Sequence, residues 1–446
     1  MKRVTPKRVF NISLILVFVL LVVPLYVDKG FNASMDHAAG TGTVGGIDFK
    51  AYYIAADMLR KGRDFYDVEQ QTEEVLARGL PLNESYYIYP PLLAMALLPL
   101  TALSMQTAAQ MWFFVNLVLF GIALVLICQS LELSRFTRML PLLCVLAFLF
   151  PPVLFNLHKG QVNIVVLLLL ALTYWLYRKG MDAAAGLALG LAVMIKVIPV
   201  LLLLYFVWKR KSLLILATVA TIIVIGVLGL LIVGVGPHAT YLIDVIPSLA
   251  EPRPNPSNQS LGGFFSLLLI ENEYANHLIH SPTSWNILTL MFSVAAGAGI
   301  AVLCSRQSVS PLRIELELAL VITTMPLIAN IAWVDMFVLL IFPYAVLLKW
   351  FLISREEGRL VADQGYASIE SGALTVIAAG GISSILLVSS PRFLDLLASQ
   401  AGWQGRLLRN PLFFSLPFYG LVIVWLTLAV LLGQTSRKEI KDGSRA

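Results

Sequence analysis

The chain has 446 residues, of which 58% are apolar and 13% are charged, and its formal net charge at pH 7 is +6. Soluble globular proteins carry about 25% charged residues, so this composition excludes an ordinary soluble enzyme. The positive charge does not indicate a nucleic-acid partner, because in a membrane protein the basic residues report which loops face the cytoplasm. The composition therefore predicts an all-α polytopic membrane protein.

Apolar runs of roughly 18 residues or more, long enough to cross a bilayer as helices, recur from end to end. The first run follows four basic residues, but it is long for a signal peptide and no small-residue cleavage site follows it, so we expect an uncleaved anchor. With half-helices included, the sequence predicts about ten to twelve membrane helices in one integral-membrane domain, 1–446. The predicted spans are 10–27, 105–131, 139–156, 162–177, 212–235, 285–304, 314–330, 333–350, 373–389 and 412–433.

Most Lys and Arg residues fall in short segments that lie on one side of the membrane if the N-terminus is cytoplasmic. They include "RKG" at 178–180, "KRK" at 209–211 and the tail 434–446. The positive-inside rule therefore predicts a multi-pass protein of the plasma or inner membrane with both termini in the cytoplasm. The other basic residues placed on that side beyond the first span are Arg135, Arg138, Arg306, Arg313, Lys349, Arg355 and Arg359.

The stretch between "RKG" and "KRK" is one apolar run, yet both clusters favour the cytoplasm. Two half-helices in a re-entrant hairpin would satisfy both clusters, and Gly186, Gly190 and Pro199 fit a helix broken near Lys196. A lysine at bilayer depth costs roughly 3 kcal/mol, so we expect Lys196 to line a cavity and to have a partner or a function. The proline-flanked segment 89–100 is too short to span and predicts a second short helix on the outer side.

Two long loops, 28–89 and 236–284, are predicted outside and are the natural place for an aqueous site. In the first loop, "GGIDFKAYYIAADMLRKGRDFYD" has apolar residues at helical spacing, and Gly62 is placed to end the helix. This pattern predicts an amphipathic helix on the membrane surface. Asp48 at its start is either an N-cap or a catalytic carboxylate at the interface. Asp57, nine positions later, should face elsewhere.

Four further polar or aromatic segments hold candidate residues, and three of them allow two interpretations each. "YYIYPPLL" at 86–93 fits an interfacial aromatic belt or the wall of a lipid groove. "NLHKGQVN" at 156–163 fits helix caps or contacts to a sugar or phosphate. "PSNQSLGG" at 256–263 is typical of a surface turn. In "PLIANIAWVDMF", Asp335 lies near a helix start, where it could cap the helix or interact with its dipole.

Motifs for several common chemistries are missing from the sequence. It contains no phosphate-binding Walker loop, no G-x-S-x-G, no H-E-x-x-H and no dinucleotide-binding glycine motif. Cys128, Cys144 and Cys304 have no metal or redox spacing and fit small buried apolar residues. We therefore predict no metal site and no cofactor.

Five segments in order carry a family resemblance: "GIDFKAYYIAADMLRKGRDFYD", "YIYPPLLAMALLPL", "GQVNIVVLLLLAL", "AGLALGLAVMIKVIPVLLLLYFVWKRK" and "NQSLGG". Together they resemble glycosyltransferase family 87, a group of membrane enzymes of the GT-C superfamily. The resemblance covers about 45–265 by motif and the rest mainly by hydropathy. It implies a GT-C-like fold and an inverting transfer of a hexose, typically mannose, from a polyprenyl-phosphate donor. A lipid or glycan would accept the sugar at the extracytoplasmic face.

The resemblance also implies roles for particular residues. Asp48 would activate the acceptor, and Lys196 in "K-x-x-P" would contact the donor phosphate. Relatives often have W-x-H in the later span where this chain has "WVD", so Asp335 stands at the position of the histidine. This departure leaves the role of that span and the choice of substrate open. The remaining candidate substrate-binding residues are Tyr52, Tyr89, His158, Lys159, Gln161, Asn163, Asn258 and Gln259.

A transporter or flippase for a polyprenyl-linked substrate is the main alternative, because broken helices with a charge at mid-depth also occur there. Such transporters tend to have broken helices at matching positions in two halves, whereas both short segments here precede residue 210. A third hypothesis, a non-catalytic membrane scaffold, would leave the predicted depth of Lys196 in the membrane unexplained.

Overall fold

The computed structural model describes residues 18–32, 46–80, 85–133, 140–304, 310–363, 371–390 and 410–443. Nearly all regular structure in these ranges is helical, and the strand-like pairing among them is an isolated bridge between Asn258 and Trp333. The predicted all-α class is therefore confirmed. Residues 10–17 of the first predicted span, together with Arg135, Arg138 and Arg306, lie outside the described residues.

The chain divides into two compact units, residues 1–200 with 211–250 and residues 201–210 with 251–446. The single functional domain expected from the sequence remains a prediction. The first unit begins with a short helical stretch described from Phe18 to Asn32. Its main helices are α1 (Ile47–Arg60), α2 (Val68–Ala77), α3 (Pro91–Leu97), α4 (Met105–Ser130), α5 (Leu140–Leu149), α6 (Pro151–Lys159), α7 (Asn163–Arg178), α8 (Asp182–Ile195) and α10 (Ser212–Val233).

The second unit has α9 (Val200–Trp208), α11 (Leu261–Leu269), α12 (Pro282–Leu303), α13 (Pro311–Ile328), α14 (Ile341–Asp363), α15 (Ser371–Val388) and α16 (Leu416–Gly443) as its main helices. Helix α13 packs against α14 and α16, and α15 packs against α16.

Five stretches of the described chain are long and apolar enough to cross a membrane, and a sixth arises if the pair α5 and α6, bent by 53°, forms one span. Shorter apolar helices include Asn163–Arg178 and Thr375–Val388, which coincide with two further predicted spans. Each predicted span therefore falls on a helix wherever it is described. The five long stretches are Met105–Ser130, Ser212–Val233, Pro282–Leu303, Val334–Ser354 and Leu416–Thr435.

The helix predicted for the first loop exists, but its predicted environment is wrong. Helix α1 ends at Arg60, and Gly62 with φ of +70° follows it, as the spacing predicts. Ten of its fourteen residues are buried, so it is a core element of the first unit and not an amphipathic helix with one exposed polar face. It packs against α3 and α4, where the rings of Phe49 and Trp112 stack at a centroid distance of 5.9 Å. Aromatic residues supply much of this core.

The predicted interruption near Lys196 is confirmed. Helix α8 ends at Ile195, Lys196 is extended with φ of −147°, and α9 begins at Val200. Gly186 and Gly190, however, lie inside continuous helix, so their expected part in the break is wrong. A Cβ on Gly186 would lie 2.3 Å from the Leu214 carbonyl oxygen, and one on Gly190 would lie 2.6 Å from Thr221 Cβ. Both glycines thus allow α8 and α10 to pack closely.

Candidate active site

The start of α1 is anchored to the turn between α6 and α7. The backbone N–H of Gly46 donates to the His158 carbonyl oxygen at 2.7 Å. Gly46 occupies the N-cap position and Asp48 is the second helical residue, so the N-cap interpretation of Asp48 is wrong. Asp48 is half-buried, and the Ser85 hydroxyl donates to its Oδ1 at 3.1 Å. A carboxylate in the first turn is favoured by the helix dipole.

Two charged neighbours of Asp48 on α1 have contrasting surroundings. Lys50 is 2% exposed, and burial lowers its pKa to about 8 against an opposing attraction to Asp48. Asp57 faces away from Asp48, as expected, and pairs with Arg60, Lys61 and Arg78. Burial alone would raise the pKa of Asp57, but hydrogen bonds from Arg60 and Lys61 outweigh that effect and lower it. Asp57 therefore belongs to a structural ion-pair network.

The turn after α6 is shaped by Gly160. His158 and Lys159 form the last turn of α6, and Gly160 ends the helix with φ of +71°. A Cβ there would lie 2.6 Å from Phe49 Cβ, so only glycine fits both the backbone angle and the contact with α1. The indole N–H of Trp112 donates to the Gly160 carbonyl oxygen at 2.7 Å. The turn is thus fixed from two helices.

Gln161 joins three parts of the first unit. Its Oε1 accepts hydrogen bonds from the hydroxyls of Tyr52 at 2.9 Å and Tyr89 at 3.0 Å, and the two rings meet edge to face. Tyr89 is 8% exposed and Tyr87 is 1% exposed, so the aromatic-belt interpretation of 86–93 is wrong. These rings pack inside the unit, where they can wall a site.

Lys196 faces the same group of residues. Its Nζ donates to Asn163 Oδ1 at 2.7 Å and lies 5.8 Å from the centroid of the Tyr89 ring. Asn163 is fully buried as the first residue of α7, whereas Lys196 itself is half-buried. The structure therefore brings together by direct contact Tyr52, Tyr89, Gln161, Asn163 and Lys196. Asp48 lies on the same helix as Tyr52, and the His158 backbone carbonyl accepts a hydrogen bond from Gly46 at the start of that helix.

Three other candidate residues lie in the second unit. Asn258 Oδ1 accepts from the backbone N–H of Ala332 and its Nδ2 donates to the Asn330 carbonyl, so it holds two loops together. The Gln259 amide likewise binds backbone groups of Phe414 and Phe418. Asp335 is 1% exposed in a short helical turn, Val334–Leu340. Their predicted contacts with substrate remain predictions.

Two residues beside Asp48 were not expected from the sequence. Ser85 directly precedes the tyrosine run, where a serine is unremarkable. Lys50 was not singled out, because an isolated lysine on a predicted amphipathic helix is unremarkable. The only sequence signal for Ser85 was its position, as a polar residue directly before the "YYIYPP" segment. Among the described residues, no three His, Cys, Asp or Glu side chains are grouped to hold a metal ion.

Comparison with known proteins gives one family and likenesses to solved structures, two of which are described here. The model of glycosyltransferase family 87 matches residues 87–330. ArnT from Cupriavidus metallidurans bound to undecaprenyl phosphate is 14% identical, with a TM-score of 0.36 over 95% of this chain and 80% of that one. Its apo form is 15% identical, with the same TM-score over 93% and 76%. These similarities are too low to transfer residues between chains. No curated protein matches.

Proposed function

We propose that this chain, which belongs to glycosyltransferase family 87, moves a hexose, most simply mannose, from a polyprenyl-phosphate carrier to a hydroxyl of a lipid or glycan acceptor. The family makes it a glycosyltransferase, and its long apolar helices make it an integral membrane protein. A donor on a lipid carrier suits an enzyme with no sizeable soluble domain. The extracytoplasmic face is the proposed side of transfer, following the basic-residue pattern.

The observation that carries this proposal is the position of Lys196 at a helix break in the same unit as Asp48. Its ammonium is held by Asn163 and the Tyr89 ring, as expected of a lysine retained for an anionic ligand. The phosphate of a polyprenyl-phosphate sugar is such an anion. As the bond from the anomeric carbon to the phosphate oxygen breaks, negative charge grows on that oxygen, and a cation beside it lowers the barrier.

Asp48 is the proposed base. It would take the proton of the acceptor hydroxyl while the hydroxyl oxygen attacks the anomeric carbon from the face opposite the phosphate, which inverts the configuration. The phosphate leaves with the bonding electrons and needs no general acid, so a second carboxylate of the glycosidase type is unnecessary. The Ser85 hydroxyl and the first turn of α1 would hold the carboxylate in place.

Replacing Asp48 by asparagine tests the base. We expect Asp48→Asn to lower the turnover number by about 10²- to 10⁴-fold, because the amide cannot accept the proton, while donor affinity stays unchanged. The assay follows label from radioactive polyprenyl-phosphate mannose into extracted lipid acceptors, with the protein in nanodiscs. Asp67→Asn is the matched control, since Asp67 caps α2 and asparagine caps equally well. Near-normal turnover of Asp48→Asn would remove Asp48 from the mechanism.

Replacing Lys196 by methionine tests the donor site. We expect Lys196→Met to raise the donor KM about ten- to hundredfold, since hydrogen bonds to charged groups contribute about 1.5 to 3 kcal/mol. Lys179→Met, at an exposed lysine over Trp175, is the control. An unchanged donor KM would rule out the phosphate contact. Label that crosses the bilayer without entering a new glycosidic product would indicate a flippase.

A further inference from the structure

The side-chain oxygen of Gln161 accepts three hydrogen bonds. Tyr52 and Tyr89 donate to it from their hydroxyls, and the backbone N–H of Val162 approaches it at 3.3 Å. An amide side chain can be turned so that oxygen and nitrogen exchange places, but a backbone N–H can only donate. The Val162 N–H therefore identifies the atom facing the tyrosines as the oxygen.

The direction of these bonds limits what the tyrosines can do. A phenol has a single hydrogen to donate, and the phenols of Tyr52 and Tyr89 both donate it to Gln161. Neither hydroxyl is then available as a donor to a phosphate oxygen. What Tyr89 presents to the cation is its ring, with the Lys196 Nζ at 5.8 Å from the centroid, within the range of a cation–π contact.

The same short turn controls both groups around the ammonium. Gln161 is 2% exposed and holds the Tyr89 hydroxyl, and Asn163, two residues later, accepts the hydrogen bond from Lys196. Gly160, before them, is fixed by Trp112. The turn thus orients the ring and the amide oxygen that together locate the cation.

We propose that Gln161 is a positioning residue of the donor site, which holds the Tyr89 ring against the Lys196 ammonium and so sets where that cation meets the carrier phosphate. This inference rests on the proposed function and deepens it. It assigns Gln161 an indirect role through Tyr89, where the sequence predicted contact with the substrate. The ligand group concerned is the phosphate, and the sugar is not involved.

Binding of undecaprenyl phosphate, which carries no sugar, is the measurement that separates these roles. The dissociation constant is measured in nanodiscs for Gln161→Met, Tyr89→Phe and the double variant, and the KM and turnover number for labelled sugar donor are measured in parallel. We expect each single variant to weaken binding about three- to tenfold with little change in turnover number. We expect the double variant to be no weaker than the worse single variant, because both changes break one connection.

Matched variants separate this inference from the proposed function. Tyr177→Phe makes the same chemical change at another tyrosine beneath a lysine, Lys211, and should leave binding unchanged. Effects that multiply in the double variant, or a loss confined to the sugar-bearing donor, would overturn the positioning role. If Lys196→Met weakens undecaprenyl phosphate binding while Gln161→Met and Tyr89→Phe do not, the inference fails and the proposed donor site stands. If Lys196→Met has no effect, the donor site itself fails.

Discussion

Lys50 is the residue whose surroundings differ most from its sequence pattern. It lies two positions after Asp48, where a lysine beside a predicted interfacial helix would extend into water, yet it is almost completely buried. The sequence pattern identified Asp48 as a site candidate because it begins an apolar helical period. It could not reveal Lys50, because burial depends on α1 packing into the core on all sides, which no local spacing encodes.

Removing this buried charge should stabilise the protein in a pH-dependent way. The pKa of Lys50 is about 8 when folded and about 10.5 when exposed, so between these values the unfolded chain binds more protons and stability rises with pH. We expect Lys50→Met to raise the free energy of unfolding near pH 7 by about 1 to 2 kcal/mol, after allowance for solvent screening. The gain should shrink as the pH rises above about 8.

Thermal unfolding in detergent at a series of pH values measures this effect. Lys61→Met is the control, because Lys61 is ion-paired with Asp57 and Glu74 and its loss should destabilise at every pH tested. A Lys50→Met variant with the same pH dependence as the parent protein would show that Lys50 is not held in a charge-disfavouring site.

At the level of elements, apolar periodicity located helices well and their environments poorly. The end of α1 and the interruption at Lys196 follow local rules on glycine, proline and spacing, so they were predictable. The burial of α1 and the role of Gly186 were not, because a glycine that breaks a helix and one that admits a neighbouring helix have the same sequence appearance. Only the contact with Leu214 on α10 distinguishes them.

In the candidate site, too, the sequence located residues but did not predict their contacts. Asn163 and Lys196 could be marked as polar residues at helix ends, but their hydrogen bond joins positions 33 residues apart. Gln161 binds Tyr52 across 109 residues of chain. Such pairings follow from tertiary packing, so the sequence supplied members of the site without their connections.

Buried ion pairs fasten the helices of the second unit. Glu317 on α13 is fully buried and binds Lys209 at 2.6 Å and Arg313 at 3.2 Å, and the Tyr205 hydroxyl donates to it at 3.0 Å. Glu315, also on α13, pairs at 2.7 Å with Lys349 on α14. Lys209 and Lys349, which the sequence assigned to short cytoplasmic segments, therefore connect α13 to the end of α9 and to α14.

Breaking one of these pairs should destabilise the protein strongly. We expect Glu317→Gln to cost about 3 to 5 kcal/mol, because it leaves two buried cations without their carboxylate. Glu132→Gln, at the half-exposed pair with Arg178, should cost less than about 1 kcal/mol. Thermal unfolding and the monodisperse fraction after solubilisation measure both. Equal stability of the two variants would contradict a structural role for the Glu317 pair.

For the whole molecule, contacts within each unit agree with the predicted grouping of helix ends. In the first unit, Arg178 at the end of α7 pairs with Glu132 after α4. In the second, the Trp208 indole N–H donates to the carbonyl oxygen of Cys304 after α12, and Arg313 donates to the Leu303 carbonyl oxygen. Each of these ends was expected in the cytoplasm. Within each unit, these contacts support placing the helix ends on one side of the membrane. That this side is the cytoplasm rests on the pattern of basic residues.

Labelling of single cysteines decides the compartment. In a background with the three native cysteines changed to alanine, Ala77→Cys on α2 and Lys179→Cys after α7 place thiols at exposed positions of the same unit. We expect a membrane-impermeant maleimide to label Ala77→Cys in sealed right-side-out vesicles and to label Lys179→Cys only after permeabilisation. This follows because the loop 28–89 is predicted outside and "RKG" inside. Labelling of both sites after permeabilisation is the control for exposure. The opposite pattern in sealed vesicles would put Asp48 in the cytoplasm, where a cytoplasmic sugar donor would have to replace the proposed extracytoplasmic one.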